Sequence, residues 1–167
     1  MSIDSRAPEE SLPGSSRQRF YGALLALGAA ALLTRTLVLL SEGAVGFFVP
    51  WVSGLLFLEM GMDALALVVA LRWWATGRPT AGSVALRWAV AVVGVHALRV
   101  AIFVLGRTGP WIDFDVRPEA RADHGARWTW PDVYLAATLT VLAVAATWVI
   151  WRHRRQRPGW EGGRPTS

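Results

Sequence analysis

Apolar residues along the chain gather into four long runs, at residues 20–40, 47–71, 84–105 and 133–151, with polar segments between them. Each run has roughly 20 residues or more, enough at 1.5 Å per residue to cross a hydrocarbon core of about 30 Å. Pro50 falls in the first turn of the second run, where proline is tolerated. Pro131-Asp132 precedes the fourth as a start signal. The first run is too long for a secretory signal core, and Ser41-Glu42-Gly43 follows it rather than a small-residue cleavage site, so it reads as a retained helix. Residues 1–19 read as a disordered tail, 106–131 as a long loop and 152–167 as an arginine-rich tail. The pattern therefore predicts an all-α, polytopic integral membrane protein, a four-helix transmembrane bundle.

Composition supports this. The chain is 53% hydrophobic and 17% charged, against about 25% charged in soluble domains. Cysteine is absent, which excludes disulfides, thiolate metal sites and cysteine nucleophiles. All 17 basic residues are arginine, and lysine and asparagine are missing. Such a bias points to a GC-rich bacterial genome and hence to the inner membrane of a bacterium.

The arginines also predict orientation. Arg6, Arg17, Arg19, Arg72, Arg78, Arg87, Arg152, Arg154, Arg155, Arg157 and Arg164 would share one side, while Arg107, Arg117, Arg121 and Arg127 alternate with acids in the 106–131 loop. The excess sets both termini in the cytoplasm, N-in and C-in. Aromatics fit two interfacial belts, with Phe47, Phe48, Trp51, Trp111, Trp128, Trp130 and Tyr134 outside and Phe20, Tyr21, Trp73, Trp74, Trp88, Trp148 and Trp151 inside.

Five ionisable side chains interrupt these runs: Arg35, Glu59, Asp63, His96 and Arg99. A charge at the bilayer centre costs from ~2.5 to ~17 kcal/mol depending on the method, so such residues are rare and tend to be functional. Helical rise places Arg35 at roughly 22 Å from the expected cytoplasmic end, Glu59 at roughly 19 Å, Asp63 at roughly 13 Å, His96 at roughly 15 Å and Arg99 at roughly 20 Å. In antiparallel spans this pairs Glu59 with Arg99, and Asp63 with His96. Glu59 and Asp63 are i, i+4 and share a face; His96 and Arg99 are i, i+3 and share another. Gly22, Ala26, Ala30 and Thr34 on the first span, Ala66 and Ala70 on the second, and Ala136, Thr140, Ala143 and Thr147 on the fourth add small or polar stripes that permit close approach in lipid.

Three functions fit such a centre. One is a site for a lipid-like, isoprenoid-like or quinone-like molecule, with proton handling by Glu59, Asp63 and His96, while Arg35 and Arg99 set their charge states or hold an anionic group. Another is a proton-linked transporter or channel, which needs a polar lining continuous between the two membrane faces. The third is a non-catalytic subunit of a larger membrane complex, which needs charges turned outward. The lipid bilayer is the expected surrounding, with a homo-oligomer or other membrane subunits as possible partners and no nucleic acid. No cofactor is named by these residues. A bis-histidine haem is not expected within this chain, because only His96 is deep. Asp113, Asp115, Asp123 and His124 offer oxygen and imidazole ligands in the loop, but their spacing matches no strong metal motif. Phosphate-binding, dinucleotide-binding, zinc-protease and nucleophile-elbow motifs are all missing.

Overall fold

A computed structural model describes residues 13–123 and 130–155. The order is α1 (Pro13–Ser41), the short α2 (Ala44–Phe47), α3 (Pro50–Thr76), α4 (Pro79–Leu105), two 3₁₀ turns (Gly109–Trp111 and Pro118–Asp123) and α5 (Trp130–Arg155). The α1, α3 and α4 helices each contain a stretch long and apolar enough to cross a membrane. Among the described residues, the apolar stretch of α5 is the shorter Ala137–Arg152. The protein is an all-α, multi-pass membrane protein.

Turn chemistry sets the helix ends. Pro50 cannot donate to the preceding turn and holds Val49 extended, so α2 stops and α3 begins at the proline. Gly77 closes α3 in the left-handed conformation (φ 60°), its N–H bonding Trp73 O at 2.8 Å. Arg78 is then extended ahead of Pro79, the first residue of α4. Only Gly77 and Arg78 thus join the two helices, which lie antiparallel.

The helices extend beyond the apolar runs. Helix α1 begins at Pro13 rather than Phe20, Arg72–Thr76 and Pro79–Ser83 are helical rather than loop, and α5 runs to Arg155. Arginine, glutamine and serine continue a helix into water at little cost because its backbone bonds are already internal. Helix α3 starts at Pro50, three residues into the second apolar run.

The bundle buries its charged residues and exposes many of its large apolar ones. On α3, Ser53, Glu59 and Asp63 are buried, whereas Phe57, Leu58, Leu65, Val68 and Leu71 are exposed. That arrangement suits lipid as the solvent. Helix α1 packs mainly along α3, α3 along α4 and α4 along α5, with fewer contacts between α1 and α5. Close approach of α1 to α3 requires Gly22, where a Cβ would stand 2.5 Å from Trp74 N.

Three expected belt aromatics are core residues instead. Phe47, Phe48 and Trp73 are buried, while Trp51, Trp111, Phe20, Trp74, Trp148 and Trp151 face outward. Trp73 fits because α4 presents Gly82 to its ring; a Cβ there would meet the indole at 2.5 Å. Trp128 lies outside the described residues. On α1 the buried face is Gly22, Leu25, Ala26, Ala29, Leu32, Thr36 and Leu39, so Thr34 points outward and Ala30 is half-buried. The 3.6-residue period, rather than the four-residue count, selects the inner face.

Candidate functional site in the membrane core

Regular helices bring the charged residues together. Glu59 and Asp63 face inward one turn apart on α3, opposite Arg99 and His96 on α4, and all four are at most 2% exposed. Arg99 Nε donates to Glu59 Oε1 at 2.8 Å and lies 2.6 Å from Oε2. His96 Nε2 stands 3.0 and 3.1 Å from the two Asp63 oxygens. Arg99 Nη2 is 3.0 Å from His96 Nδ1. The two level pairs expected from helical rise are thus in contact, and Arg99 links them.

This network fixes the state of the imidazole. A guanidinium has only donors, so Arg99 Nη2 donates and Nδ1 accepts. The ring proton is then on Nε2, which donates to Asp63. His96 stands between an obligate donor and a carboxylate. Both ring nitrogens are engaged, leaving neither for an axial bond to haem iron in this arrangement. To take a proton at Nδ1, the ring would have to lose the Arg99 contact; Glu59 Oε2, 3.8 Å away, is the next acceptor.

Arg35 is half-buried on α1 and has an interaction of its own. The next residue, Thr36, is fully buried. A lone threonine in an apolar run carries little signal, so Thr36 does not stand out in the sequence. Its place on the 3.6-period face, one turn above Leu32 and one below Leu39 or Leu40, was the available clue.

Apolar layers close off the cluster. Toward the α2 end, Leu39, Phe47, Phe48, Val52, Leu56 and Phe103 form one core with Val116 from the loop. The Phe48 and Phe103 rings stack with centroids 5.2 Å apart, and Arg99 Cζ lies 5.5 Å from the Phe103 centroid. The loop pairs back onto the bundle through a Phe48–Val116 bridge, with Val49 N bonded to Asp115 O and Arg117 N to Phe47 O, both at 3.0 Å. Residues 106–123 thus form a folded cap rather than a solvated loop.

Toward the Gly77 end, Ala29, Leu32, Ala66 and Val92 form a second apolar layer. A pocket begins there. It is lined by small and aliphatic residues of all four long helices, including Gly28, Leu32, Ala66, Val92 and Ala143, has a cavity volume of about 50 Å³ and is partly open to the surroundings. Leu24 and Gly28 at its wall are exposed, so it opens on the flank of the bundle. Thr147 is the single polar side chain in the lining. The pocket ends one helical turn short of Asp63 and His96.

The acidic loop residues lie apart from this centre. Asp115 is buried in the cap against Gly106, and Arg107 Nη1 is 3.9 Å from Asp115 Oδ2. Asp113 is half-buried with φ 61°. No group of three or more His, Asp or Glu that could hold a metal ion occurs among the described residues, and His124 lies outside them. No family model matches the chain, and no curated protein or solved structure does either.

Proposed function

We propose that the chain crosses a bacterial inner membrane four times, N-in and C-in, and binds a lipid-like molecule of isoprenoid or quinone type. The tail would occupy the apolar pocket and the head would approach the charged cluster. Glu59, Asp63 and His96 would handle protons there, and Arg35 and Arg99 would set the charge balance and hold the polar head. The carrying observation is the placement of the pocket, which opens sideways among the helices and ends one turn below the Asp63–His96 pair. A tail needs this kind of lining, and a reactive or polar head needs the groups beyond it.

The geometry favours this reading over the other two. Among the described residues, apolar layers flank the cluster on both sides, which disfavours a continuous polar path for transport. Glu59, Asp63, His96 and Arg99 turn inward, away from any neighbouring subunit.

The test is lipid extraction and mass spectrometry after purification in mild detergent, comparing wild type with Gly28→Leu. A Cβ at Gly28 meets nothing within 4 Å, so leucine fits the backbone and fills the pocket. A long-chain lipid is expected with the wild type and should fall at least tenfold in the variant. Equal retention by both proteins would reject the pocket as the binding site.

A further inference from the structure

Among the buried polar atoms of the described residues that make no hydrogen bond, two can donate from the level of the charged cluster. They are Arg99 Nη1, in a side chain 2% exposed, and Thr36 Oγ1, in a residue 0% exposed. Burying a polar group without a partner is costly, and such atoms normally meet protein, water or ligand. Both donate: the guanidinium nitrogen only donates, and the hydroxyl can donate or accept. An oxygen acceptor would satisfy both.

Their level is set by the helices. Leu32 belongs to the layer at the end of the pocket, with Ala66 and Val92. Thr36 is one turn farther along the same buried face, a rise of about 6 Å. Asp63 and His96 stand about one turn beyond Ala66 and Val92. Arg99 starts a turn farther still, but its guanidinium reaches back to His96. Thr36 and the Arg99 guanidinium thus lie at about the level of the Asp63–His96 pair, about one turn beyond the pocket lining, where the head of a molecule with its tail in the pocket would have to reach.

Charge narrows the class of head. Two carboxylates, Glu59 and Asp63, face the guanidinium of Arg99 and the imidazole of His96. A phosphate or carboxylate head would leave a net negative charge in a low-dielectric core, which is unfavourable. A carbonyl oxygen accepts two hydrogen bonds without adding charge. We propose that Arg99 Nη1 and Thr36 Oγ1 bind the carbonyl oxygen of a neutral lipid head, as in a quinone, and that this site selects against lipid phosphates and fatty acids. This rests on the pocket reading above and adds the chemistry of the head.

The test uses the full chain in detergent micelles and three probes with one decyl tail: a decyl-substituted benzoquinone, decyl phosphate and decylbenzene. Binding is measured by equilibrium dialysis for wild type, Thr36→Val, Thr36→Ser and Gly28→Leu. The quinone should bind wild type most tightly, and decyl phosphate should be at least tenfold weaker. Thr36→Val keeps the side-chain shape and should weaken quinone binding about five- to tenfold, the value of one hydrogen bond. Thr36→Ser should restore it, and decylbenzene should bind wild type and Thr36→Val alike. Gly28→Leu should weaken all three probes.

The arms separate the two readings. If Gly28→Leu weakens every probe but Thr36→Val binds quinone as wild type does, the pocket stands and the carbonyl inference is overturned; water alone then satisfies the two atoms. Decyl phosphate binding as tightly as the quinone, or decylbenzene binding where the quinone does not, would also overturn it. If Gly28→Leu changes nothing, or no probe binds the wild type, both readings fall.

Discussion

The membrane core buries Arg99 and the cap half-buries Arg107 and Arg117, and the two regions satisfy arginine differently. In the cap, Arg117 donates to the main-chain oxygens of Phe48 at 2.8 Å and Val45 at 3.2 Å, and Arg107 donates to Phe103 O at 2.8 Å. These carbonyls lie where α2 or α4 ends and helical partners run out. The cap arginines finish the backbone. In the core, Arg99 donates to side chains on α3 and α4 and keeps Nη1 unused. Its partners, Glu59 and His96, are themselves ionisable. Arginine that completes main-chain hydrogen bonding reads as structure, whereas arginine that organises other titratable groups and retains a donor reads as a site.

The largest expected effect comes from removing the centre of the core network. Arg99→Ala leaves Glu59 buried without its cation and His96 without its donor, and should cost about 3–5 kcal/mol. Unfolding in a titration of SDS against mild detergent measures this. The double variant Glu59→Leu/Arg99→Met replaces the pair with apolar bulk and should recover most of the loss. The recovered protein should still fail to bind the decyl benzoquinone, because the carbonyl donor is gone. Full binding by the double variant would place Arg99 with the structural arginines of the cap.

A smaller and more local effect is expected from Arg117→Ala. It removes two charged-donor hydrogen bonds to main chain, each worth about 1.5–3 kcal/mol at most and less where water replaces them. Hydrogen exchange at residues 44–49 and 114–117 should speed up while exchange along α3 stays slow. Binding of the decyl probes should not change, since the apolar layer of Phe48, Leu56 and Phe103 lies between the cap and the pocket. Loss of binding would show that the cap supports the site directly.

Regularity decided how much was legible in the sequence. Glu59 pairs with Arg99, and Asp63 with His96, because uninterrupted helices convert residue number into depth and face. The bridge from Arg99 to His96 was one step further, since an i, i+3 pair can either touch each other or reach across. The cap was illegible because its order comes from contacts distant in sequence, such as Val49 N to Asp115 O. Helix ends lie beyond the apolar runs because polarity marks where lipid stops, not where a helix stops. The burial of Trp73 depended on Gly82 of the next helix, a pairing that neither residue announces alone. Thr34 was favoured over Thr36 because a strict four-residue count drifts off the face of a 3.6-residue helix.

Thr36→Val should have the smallest effect on stability, and its sign is informative. Valine matches threonine in shape and branching, so packing on α1 is retained. If the hydroxyl has no partner in the ligand-free protein, replacing it removes a buried polar group and should be neutral or stabilising, within about 1 kcal/mol. With the decyl benzoquinone bound the order should reverse, because only threonine meets the carbonyl. Thermal unfolding of lipid-stripped protein, with and without the quinone, measures both. A loss above about 1 kcal/mol in the stripped protein would mean that the hydroxyl bonds within the chain. Thr36 would then resemble Arg117, completing the backbone, and the core would have one fewer group to offer a ligand.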